Sequence, residues 1–216
     1  MNLRTRIDHY VARQSRLPEG IFGRVIMNRI FSAANRHRIE QTLRQLSLSE
    51  NLSVLDIGCG NGDLLFRLLH NYPSCVSFGI DLSDAMTTIV KRKNADSGPG
   101  GGIKLAAANW NQLPFIDRSF DRIVASNVIY FWKNPQKILS ELRRVLKSNG
   151  RVTIILQPVS SGAQSSFVDY GYDTYSQDGA ISLLEQNGFQ IIDVSSKGEK
   201  SKDRSWKVLW ITASLT

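Results

Sequence analysis

A stretch of ten residues near position 58 combines an acidic side chain with closely spaced glycines. It reads VLDIGCGNGD, from Val54 to Asp63, and places glycine at every second position after an apolar run. Glycine at the end of a strand permits a tight turn and lets a ligand approach the backbone closely. If a helix follows, its free amide groups and positive dipole end point to the same place. The stretch therefore predicts a binding loop for a charged small ligand.

This loop differs from the glycine fingerprint of dinucleotide-binding proteins, G-x-G-x-x-G. Gly58 and Gly60 fit that fingerprint, but its third glycine position is occupied by Asp63. Asp56 precedes the loop by two positions, where a carboxylate is badly placed for a pyrophosphate and well placed for an ammonium group. The alternative interpretation is a simple glycine turn in which Asp63 caps the next helix.

A second acid, Asp81, ends the next apolar run, 19 residues after Gly62. An acidic side chain at such a spacing can accept hydrogen bonds from the hydroxyls of a ribose. Asp81 or Ser83 could instead cap a helix that begins at Asp84. Because Asp81 follows the glycine loop, the combination favours the ribose role.

A third candidate segment carries Asn109 and Trp110 ahead of the sequence LPF at 113–115. The amide of Asn109 can donate a hydrogen bond to a ring nitrogen and accept one from an exocyclic amine. Trp110 can offer an apolar face beside an adenine, or it can simply pack in the core.

These three segments together resemble the cofactor-binding motifs of class I methyltransferases, specifically the small-molecule type with a D-x-G-x-G-x-G loop. The resemblance extends over about residues 50–160. It implies a Rossmann-like fold, with S-adenosyl-methionine (SAM) as the cofactor, S-adenosyl-homocysteine (SAH) as its product, and no metal. One departure is Asn109, where the family often has Asp, and we expect a changed affinity from it.

The resemblance also implies roles for individual residues. Asp56 and the Gly58–Gly62 loop would hold the methionine end of SAM, and Asp81 would hold the ribose. Asn127, just after the fourth predicted strand, would lie near the transferring methyl group. The implied cofactor-binding residues are Asp56, Gly58, Cys59, Gly60, Asn61, Gly62, Asp81, Leu82, Met86, Asn109, Trp110 and Asn127.

Methyl transfer from a sulfonium depends mainly on alignment and desolvation, so no catalytic triad is expected. Two side chains remain as candidate catalytic residues. Tyr130 follows the fourth predicted strand, and its hydroxyl could orient an acceptor, or its ring could form an aromatic wall. His37 lies in the basic amino-terminal segment and could reach the active site or lie on the surface.

Several classes of methyl acceptor are disfavoured by the sequence. Residues 127–130 lack the prolines of nucleic-acid amino-methyltransferases, and neither Cys59 nor Cys75 follows a proline, as cytosine C5 chemistry requires. The paired-glutamate loop of protein arginine methyltransferases is also missing. A small-molecule acceptor therefore remains. The insert at 158–176 contains three tyrosines, which favours a flat or lipophilic acceptor, such as a quinone or another secondary metabolite.

The elements that must position these residues alternate between short apolar runs and helical stretches, which indicates an α/β fold with helices on both faces of a mostly parallel sheet. The last two strands have no helix between them, so we expect a seven-stranded sheet whose last strand is antiparallel. Asn149-Gly150 and Asn187-Gly188 should end helices in the left-handed conformation. The predicted strands are 53–57, 76–80, 103–108, 121–126, 151–157, 189–195 and 206–213, and the predicted helices are 62–71, 84–95, 135–147 and 177–187.

The residues before position 51 form a separate predicted segment. Apolar residues recur there at helical spacing, so we expect two helices in a lid over residues 1–50, ahead of a SAM-binding domain at 51–216. Residues 1–50 carry nine arginines against four acids, and the whole chain has a formal net charge of +8. Such a segment can attract nucleic acid, anionic lipid or an acidic substrate, although a solvated helix face is favoured.

Composition bounds the remaining possibilities. The 216 residues contain two cysteines, too few for a disulfide framework, and no apolar run of 18 residues, so a reduced cytoplasmic protein is predicted. Nucleic-acid binding is disfavoured, while peripheral membrane contact through the basic segment stays open. The rival functions are an NAD-dependent oxidoreductase and a non-catalytic Rossmann-like module that binds nucleic acid or membrane.

Overall fold

The computed structural model describes residues 37–95, 102–159, 173–201 and 204–216. Residues 37–45 are helical and are called α1 here. The elements that follow are β1 (Ser53–Ile57), α2 (Asp63–Asn71), β2 (Val76–Asp81), α3 (Asp84–Ala95), β3 (Ile103–Ala107), β4 (Phe120–Ser126), α4 (Pro135–Val145), β5 (Leu146–Leu156), α5 (Gln177–Gln186), β6 (Phe189–Ser201) and β7 (Arg204–Leu215), with a short 3-10 helix at Ile129–Phe131.

The seven strands form one sheet in the order β3-β2-β1-β4-β5-β7-β6. Strands β1 to β5 pair in parallel, whereas β7 is antiparallel to both of its neighbours, β5 and β6. The predicted α/β fold with an antiparallel last strand is therefore confirmed. Its order places the last strand inside the sheet, between β5 and β6.

Alternate residues of each strand point to opposite faces of this sheet, and each face has its own core. Leu55 and Ile57 of β1 belong to the core under α4 and α5. Val54 belongs to the other core, which includes Leu43 of α1 and Leu65 of α2. The sheet is thus covered on both sides, which gives the predicted three-layer sandwich.

Helix α4 shows how the local sequence sets an element. The side chain of Asn134 accepts a hydrogen bond from the amide of Lys137, and Pro135 occupies the first turn, where its missing amide costs nothing. The buried stripe of this helix consists of Ile138, Leu139, Leu142 and Val145. Capping and stripe together fix the start of the helix and the face that it buries.

The end of α4 differs from the sequence prediction at Asn149-Gly150. The helix ends at Val145, and Leu146 has an extended backbone that begins β5 directly, so no left-handed residue is needed there. Phe120 pairs with Leu146 and Arg122 pairs with Arg151, so residues 147–150 form an extra segment opposite β4. The prediction for Asn187-Gly188 is confirmed, since Gly188 has φ +78° after α5.

Helix α1 runs antiparallel to the parallel strands. At its carboxyl end, Arg122 near the start of β4 donates hydrogen bonds to the carbonyl groups of Leu46 and Ser47. At its amino end, Arg38 binds Glu199 on the β6–β7 hairpin, which extends past the end of β5. The amino end of α1 therefore lies at the carboxyl edge of the sheet.

The remainder of the predicted lid, residues 1–36, lies outside the described residues. Within those ranges, no helix is long and apolar enough to cross a membrane.

Candidate ligand-binding site

The sequence-predicted binding residues lie at one edge of the sheet. The carboxyl ends of β1, β2 and β4 are neighbours, because Ile57 pairs with both Ile80 and Ala125. Asp56 and Asp81 lie at the ends of β1 and β2, and the glycine loop and Asn127 directly follow β1 and β4. An open α/β sheet binds ligands in the crevice outside the carboxyl ends of its strands, so the sequence prediction and the topology agree on the location.

The glycine loop after β1 has a backbone that side chains would strain. Gly58, Gly60 and Gly62 have φ values of +70°, +52° and +77°. A Cβ atom on Gly58 would lie 2.3 Å from Cγ1 of Val128, whereas one on Gly60 would meet nothing within 4 Å. Gly58 is therefore required by packing and conformation, and Gly60 faces open space that a ligand can enter.

Asp81 at the end of β2 is bound to this loop. Its Oδ2 accepts a hydrogen bond of 2.9 Å from the amide of Gly60, and its Oδ1 accepts one of 2.8 Å from the amide of Ser83. Burial raises the pKa of Asp81, and the backbone hydrogen bonds oppose that shift. A carboxylate has about four acceptor positions, and the backbone amide of Leu82 is a third donor, so at least one position remains for a ligand hydroxyl.

Asp56 of β1 is the most deeply buried acid of the site, with 3% of its surface exposed. Burial, followed by repulsion from Asp81, raises its pKa to about 7. Within the described part of the chain, the carboxylate of Asp56 has no hydrogen-bond or ion-pair partner. An unpartnered buried carboxylate is costly, so this residue suits a site that a cationic ligand completes.

Asn127, one residue after β4, adds a second unpartnered polar atom. Its backbone is left-handed, with φ +55°, and its backbone amide donates a hydrogen bond to the backbone carbonyl of Ile155. Its Oδ1 is buried without a hydrogen-bond partner in the structure. An orphaned buried oxygen is uncommon, and one beside a candidate ligand site is consistent with a role in binding.

Trp110 lies beside the glycine loop, largely within the core. It is 6% exposed, and its Cζ2 atom would lie 3.5 Å from a Cβ on Gly58. Its indole Nε1 is buried and has no partner. The ring therefore supports the loop from the side of α4, and only a small part of it could face an adenine.

Asn109 is exposed, but its side-chain oxygen is already in use. Oδ1 accepts hydrogen bonds of 3.0 Å from both the backbone amide and the side-chain amide of Asn111. The predicted pair of hydrogen bonds to an adenine is therefore reduced to one, donated by the Asn109 side-chain NH2 group. This local turn is a common use of Asn and competes with ligand binding.

The other predicted binding residues surround the same loop. Leu82 is exposed by 43%, so it can cover an apolar ring, whereas Met86 and Cys59 are buried. Burial is also the main cause that raises the pKa of the Cys59 thiol. Asn61 hydrogen-bonds Asp63 at the start of α2, which stabilises the loop.

The two candidate catalytic residues differ in their surroundings. The Tyr130 hydroxyl is bound to the backbone of Gln157, donating to its carbonyl and accepting from its amide, and burial raises the pKa of Tyr130 to about 12. His37 is exposed, and its Nε2 contacts the amino group of Lys197. Both groups are occupied by neighbouring residues, which favours the aromatic-wall interpretation of Tyr130.

Sequence reasoning missed a polar cluster next to Tyr130. Arg38 donates to both carboxylate oxygens of Glu199, and Trp206 donates to the same carboxylate at 2.8 Å. Arg38 also lowers the pKa of Tyr130 by its charge, which places the guanidinium near that ring. No local pattern signals this cluster, because its members come from α1 and a distant hairpin.

Comparison with known proteins gives consistent results. The methyltransferase domain family matches residues 55–154. The ubiquinone/menaquinone biosynthesis C-methyltransferase UbiE of Geotalea daltonii is 34% identical over 131 residues, covering 60% of this chain and 56% of that protein. The uncharacterized methyltransferase YdaC of Bacillus subtilis is 24% identical over 177 residues, covering 82% of this chain and 92% of that protein.

A solved structure shows the same fold. A SAM dependent methyltransferase from Aquifex aeolicus has a TM-score of 0.68 and 23% sequence identity, covering 82% of this chain and 89% of that one. The chain spans little more than half the length of the UbiE relative, 56%.

Proposed function

We propose that this chain is a class I SAM-dependent methyltransferase, which binds SAM at the carboxyl edge of its sheet and methylates a small-molecule acceptor. The observation that carries the proposal is a pair of carboxylates, the buried Asp56 and the partly buried Asp81, on either side of a loop whose Gly60 faces open space. A cationic ammonium and a ribose have the chemistry to bind these two groups.

The described residues fit such a cofactor. The unpartnered carboxylate of Asp56 would bind the methionine ammonium, and the remaining acceptor capacity of Asp81 would bind a ribose hydroxyl. The orphaned Oδ1 of Asn127 lies after the neighbouring strand, where the methionine part would pass. Leu82 would cover the adenine, and Asn109 would donate to it.

When bound, SAM supplies a methyl group on a sulfonium, which an acceptor can displace in line. The protein's contribution is alignment and exclusion of water. Neither Tyr130 nor His37 is proposed as a general base, because their polar atoms are bound to Gln157 and Lys197. Tyr130 instead serves as a wall that orients the acceptor.

We propose a quinol-like acceptor. The similarity to a C-methyltransferase of ubiquinone and menaquinone biosynthesis supports this class. Aromatic side chains at the same edge also support it: Tyr130 and Phe131 pack edge to face with 6.3 Å between ring centroids, and Tyr175 packs against the same core. Of the other tyrosines in the aromatic insert, Tyr170 and Tyr172 lie outside the described residues.

Residues 1–50 are proposed to cap the acceptor side of the domain at 51–216. The position of the amino end of α1 at the carboxyl edge supports this cap. The thiols of Cys59 and Cys75 are free and buried, which agrees with the proposed cytoplasmic location. In the described part of the chain, no group of acidic, His or Cys side chains is arranged to hold a metal ion.

Calorimetric titration with SAH tests the cofactor assignment. We expect saturable binding by the wild-type protein and a loss of at least about tenfold in affinity for Asp81→Ala, because at least one charge-assisted hydrogen bond is lost. Binding of NADH instead of SAH would reject it. Transfer of a labelled methyl group from SAM to a 1,4-naphthoquinol lacking the ring methyl tests the acceptor class separately.

A further inference from the structure

Asp56 and Asp81 point to the same face of the sheet. Asp56 pairs with Gly79, and Asp81 follows Gly79 by two residues, so the two acids lie on one face, one pleat apart. Gly79 has no side chain to separate them. Their proximity is also evident in the pKa of Asp56, which the charge of Asp81 raises.

Neither acid has a cation to compensate it among the residues described. Asp56 has no stabilising contact, and Asp81 is stabilised only by backbone amides. The Cys59 thiol on the loop feels both charges, because the two carboxylates add to the effect of burial and raise its pKa further.

Several charged side chains on the surrounding helices are bound elsewhere, and others, such as Asp84 and Lys91 of α3, are exposed. Asp63 of α2 pairs with Lys93 of α3, and the same lysine contacts the carbonyl of Asn61. On α1, Arg38 pairs with Glu199, and Glu40 pairs with Arg67 of α2. The β4 residues adjacent to Asp56, Val124 and Ala125, carry no charge. The charges of the described residues alone therefore give the site a negative local field.

We propose that this uncompensated pair makes the site select its ligand by charge, so that it binds the sulfonium SAM more tightly than the neutral thioether SAH. The inference rests on the proposed function and extends it to product release. The two ligands share the adenosine, the ammonium and the carboxylate, and they differ in one methyl group and one positive charge. The ratio of their dissociation constants therefore reports the methyl group and the sulfonium charge together, and the change of this ratio with pH and in an Asp56 variant reports the charge.

The selection should strengthen as the pH rises. Asp56 is protonated over part of the population near pH 7, and each deprotonation adds a negative charge beside the ligand. The sulfonium lowers the pKa of the ammonium in SAM relative to that in SAH. The ammonium of each free ligand is therefore titrated separately, and its contribution is subtracted from the ratio. A charge within a few ångströms of a partly buried carboxylate pair changes affinity by about tenfold at an effective dielectric between those of protein and water.

The experiment measures the dissociation constants of SAM and SAH by calorimetry between pH 6.0 and 8.5. For the wild-type protein we expect SAM to bind about tenfold more tightly than SAH at pH 8.5, with a smaller ratio at pH 6.0, where Asp56 is largely protonated. In Asp56→Asn, which keeps the shape of the side chain, the ratio should fall several-fold and lose most of its pH dependence.

Asp121→Asn is the matched control. Asp121 lies at the opposite end of the same strands, where it accepts from the amide of Ser53 and pairs with Lys147 at 2.7 Å. Its removal should leave the ratio unchanged. Thermal unfolding of each variant checks that it is folded at every pH used.

The outcomes separate the two proposals. If SAM and SAH both bind and SAH binds as tightly as SAM at every pH, or if Asp121→Asn changes the ratio as much as Asp56→Asn, charge selection is overturned and the cofactor assignment stands. If neither ligand binds the folded wild-type protein, both proposals are overturned.

Discussion

Arg38 and Glu199 are 161 residues apart in sequence and form a two-point ion pair. Nε of Arg38 lies 2.8 Å from Oε1 of Glu199, and Nη2 lies 2.6 Å from Oε2. The two side chains are only 9% and 13% exposed, and the indole of Trp206 donates to the same carboxylate. This pair joins α1 to the β6–β7 hairpin on the proposed acceptor side of the site.

Replacing Arg38 with Gln should lower the free energy of unfolding by about 1–3 kcal/mol, because it leaves a partly buried carboxylate with one fewer charged donor. Urea denaturation measures the change, and a double-mutant cycle with Glu199→Gln should give a coupling of at least about 1 kcal/mol. Arg67→Gln is the control, since Arg67 and Glu40 are 38% and 43% exposed and should contribute less than about 1 kcal/mol. Equal losses for the two arginine variants would contradict the prediction.

The free energy of unfolding should decrease as the pH rises, and Asp56 should account for part of this decrease. Folded Asp56 keeps its proton up to about pH 7, whereas the unfolded chain releases it near the ordinary pKa of 3.8. The folded state therefore binds more protons between these values, and its free energy of unfolding falls as the pH rises through this window.

Asp56→Asn should remove that part of the pH dependence. Its free energy of unfolding, relative to that of the wild-type protein, should rise by about 1–3 kcal/mol between pH 5 and pH 8. Denaturant titrations at several pH values measure the difference. Parallel profiles for the two proteins would show that Asp56 titrates normally in the folded state.

The two acids should recognise different halves of the cofactor. In competition against labelled SAH, Asp81→Asn should weaken the binding of adenosine by about tenfold and leave the binding of methionine little changed. Asp56→Asn should have the reverse effect, since methionine carries the ammonium group. If both variants weakened the same half, the assignment of the acids to ribose and ammonium would be wrong.

Gly58 and Gly60 should respond differently to substitution by alanine. Gly58→Ala brings a Cβ to 2.3 Å from Val128 at a φ of +70° and should destabilise the fold by about 2–4 kcal/mol. Gly60→Ala meets nothing within 4 Å, so it should cost about 1 kcal/mol for its φ and mainly weaken SAH binding. Thermal unfolding and SAH titration measure the two effects.

A second substitution checks the cause in Gly58→Ala. Val128→Ala removes the overlapping methyl groups, so the double variant should recover part of the stability that Gly58→Ala loses. No recovery would mean that the left-handed backbone, and not the contact with Val128, accounts for the loss.

The sequence predicted the local features of this fold well. The bounds of β1 and α3 agree with the prediction, because local signals determine them: Gly58 directly follows β1, and the Ser83 side chain accepts from the amide of Met86 at the start of α3. The chemistry of the glycine loop was visible for the same reason: Asp56, Gly58 and Gly60 are close in sequence.

The features that the sequence did not predict depend on long-range or side-chain contacts. The position of β7 between β5 and β6 follows from packing of the whole sheet, and the Arg38–Glu199 pair joins residues 161 positions apart. The occupied oxygen of Asn109 depends on the geometry of one turn. Hydrophobic periodicity carries no information about any of these.

The interior place of β7 has a consequence for synthesis on the ribosome. Translation produces β1 to β4 and their proposed cofactor residues long before residues 204–215 emerge. Strand β6 can join the sheet beside β5 only when β7 lies between the two strands. Thr42 of α1 likewise waits for Trp210, its hydrogen-bond partner, which is made 168 residues later. The nascent chain must therefore keep an early helix and two strand edges unpaired until the final segment arrives, which is the interval in which a chaperone would be most useful.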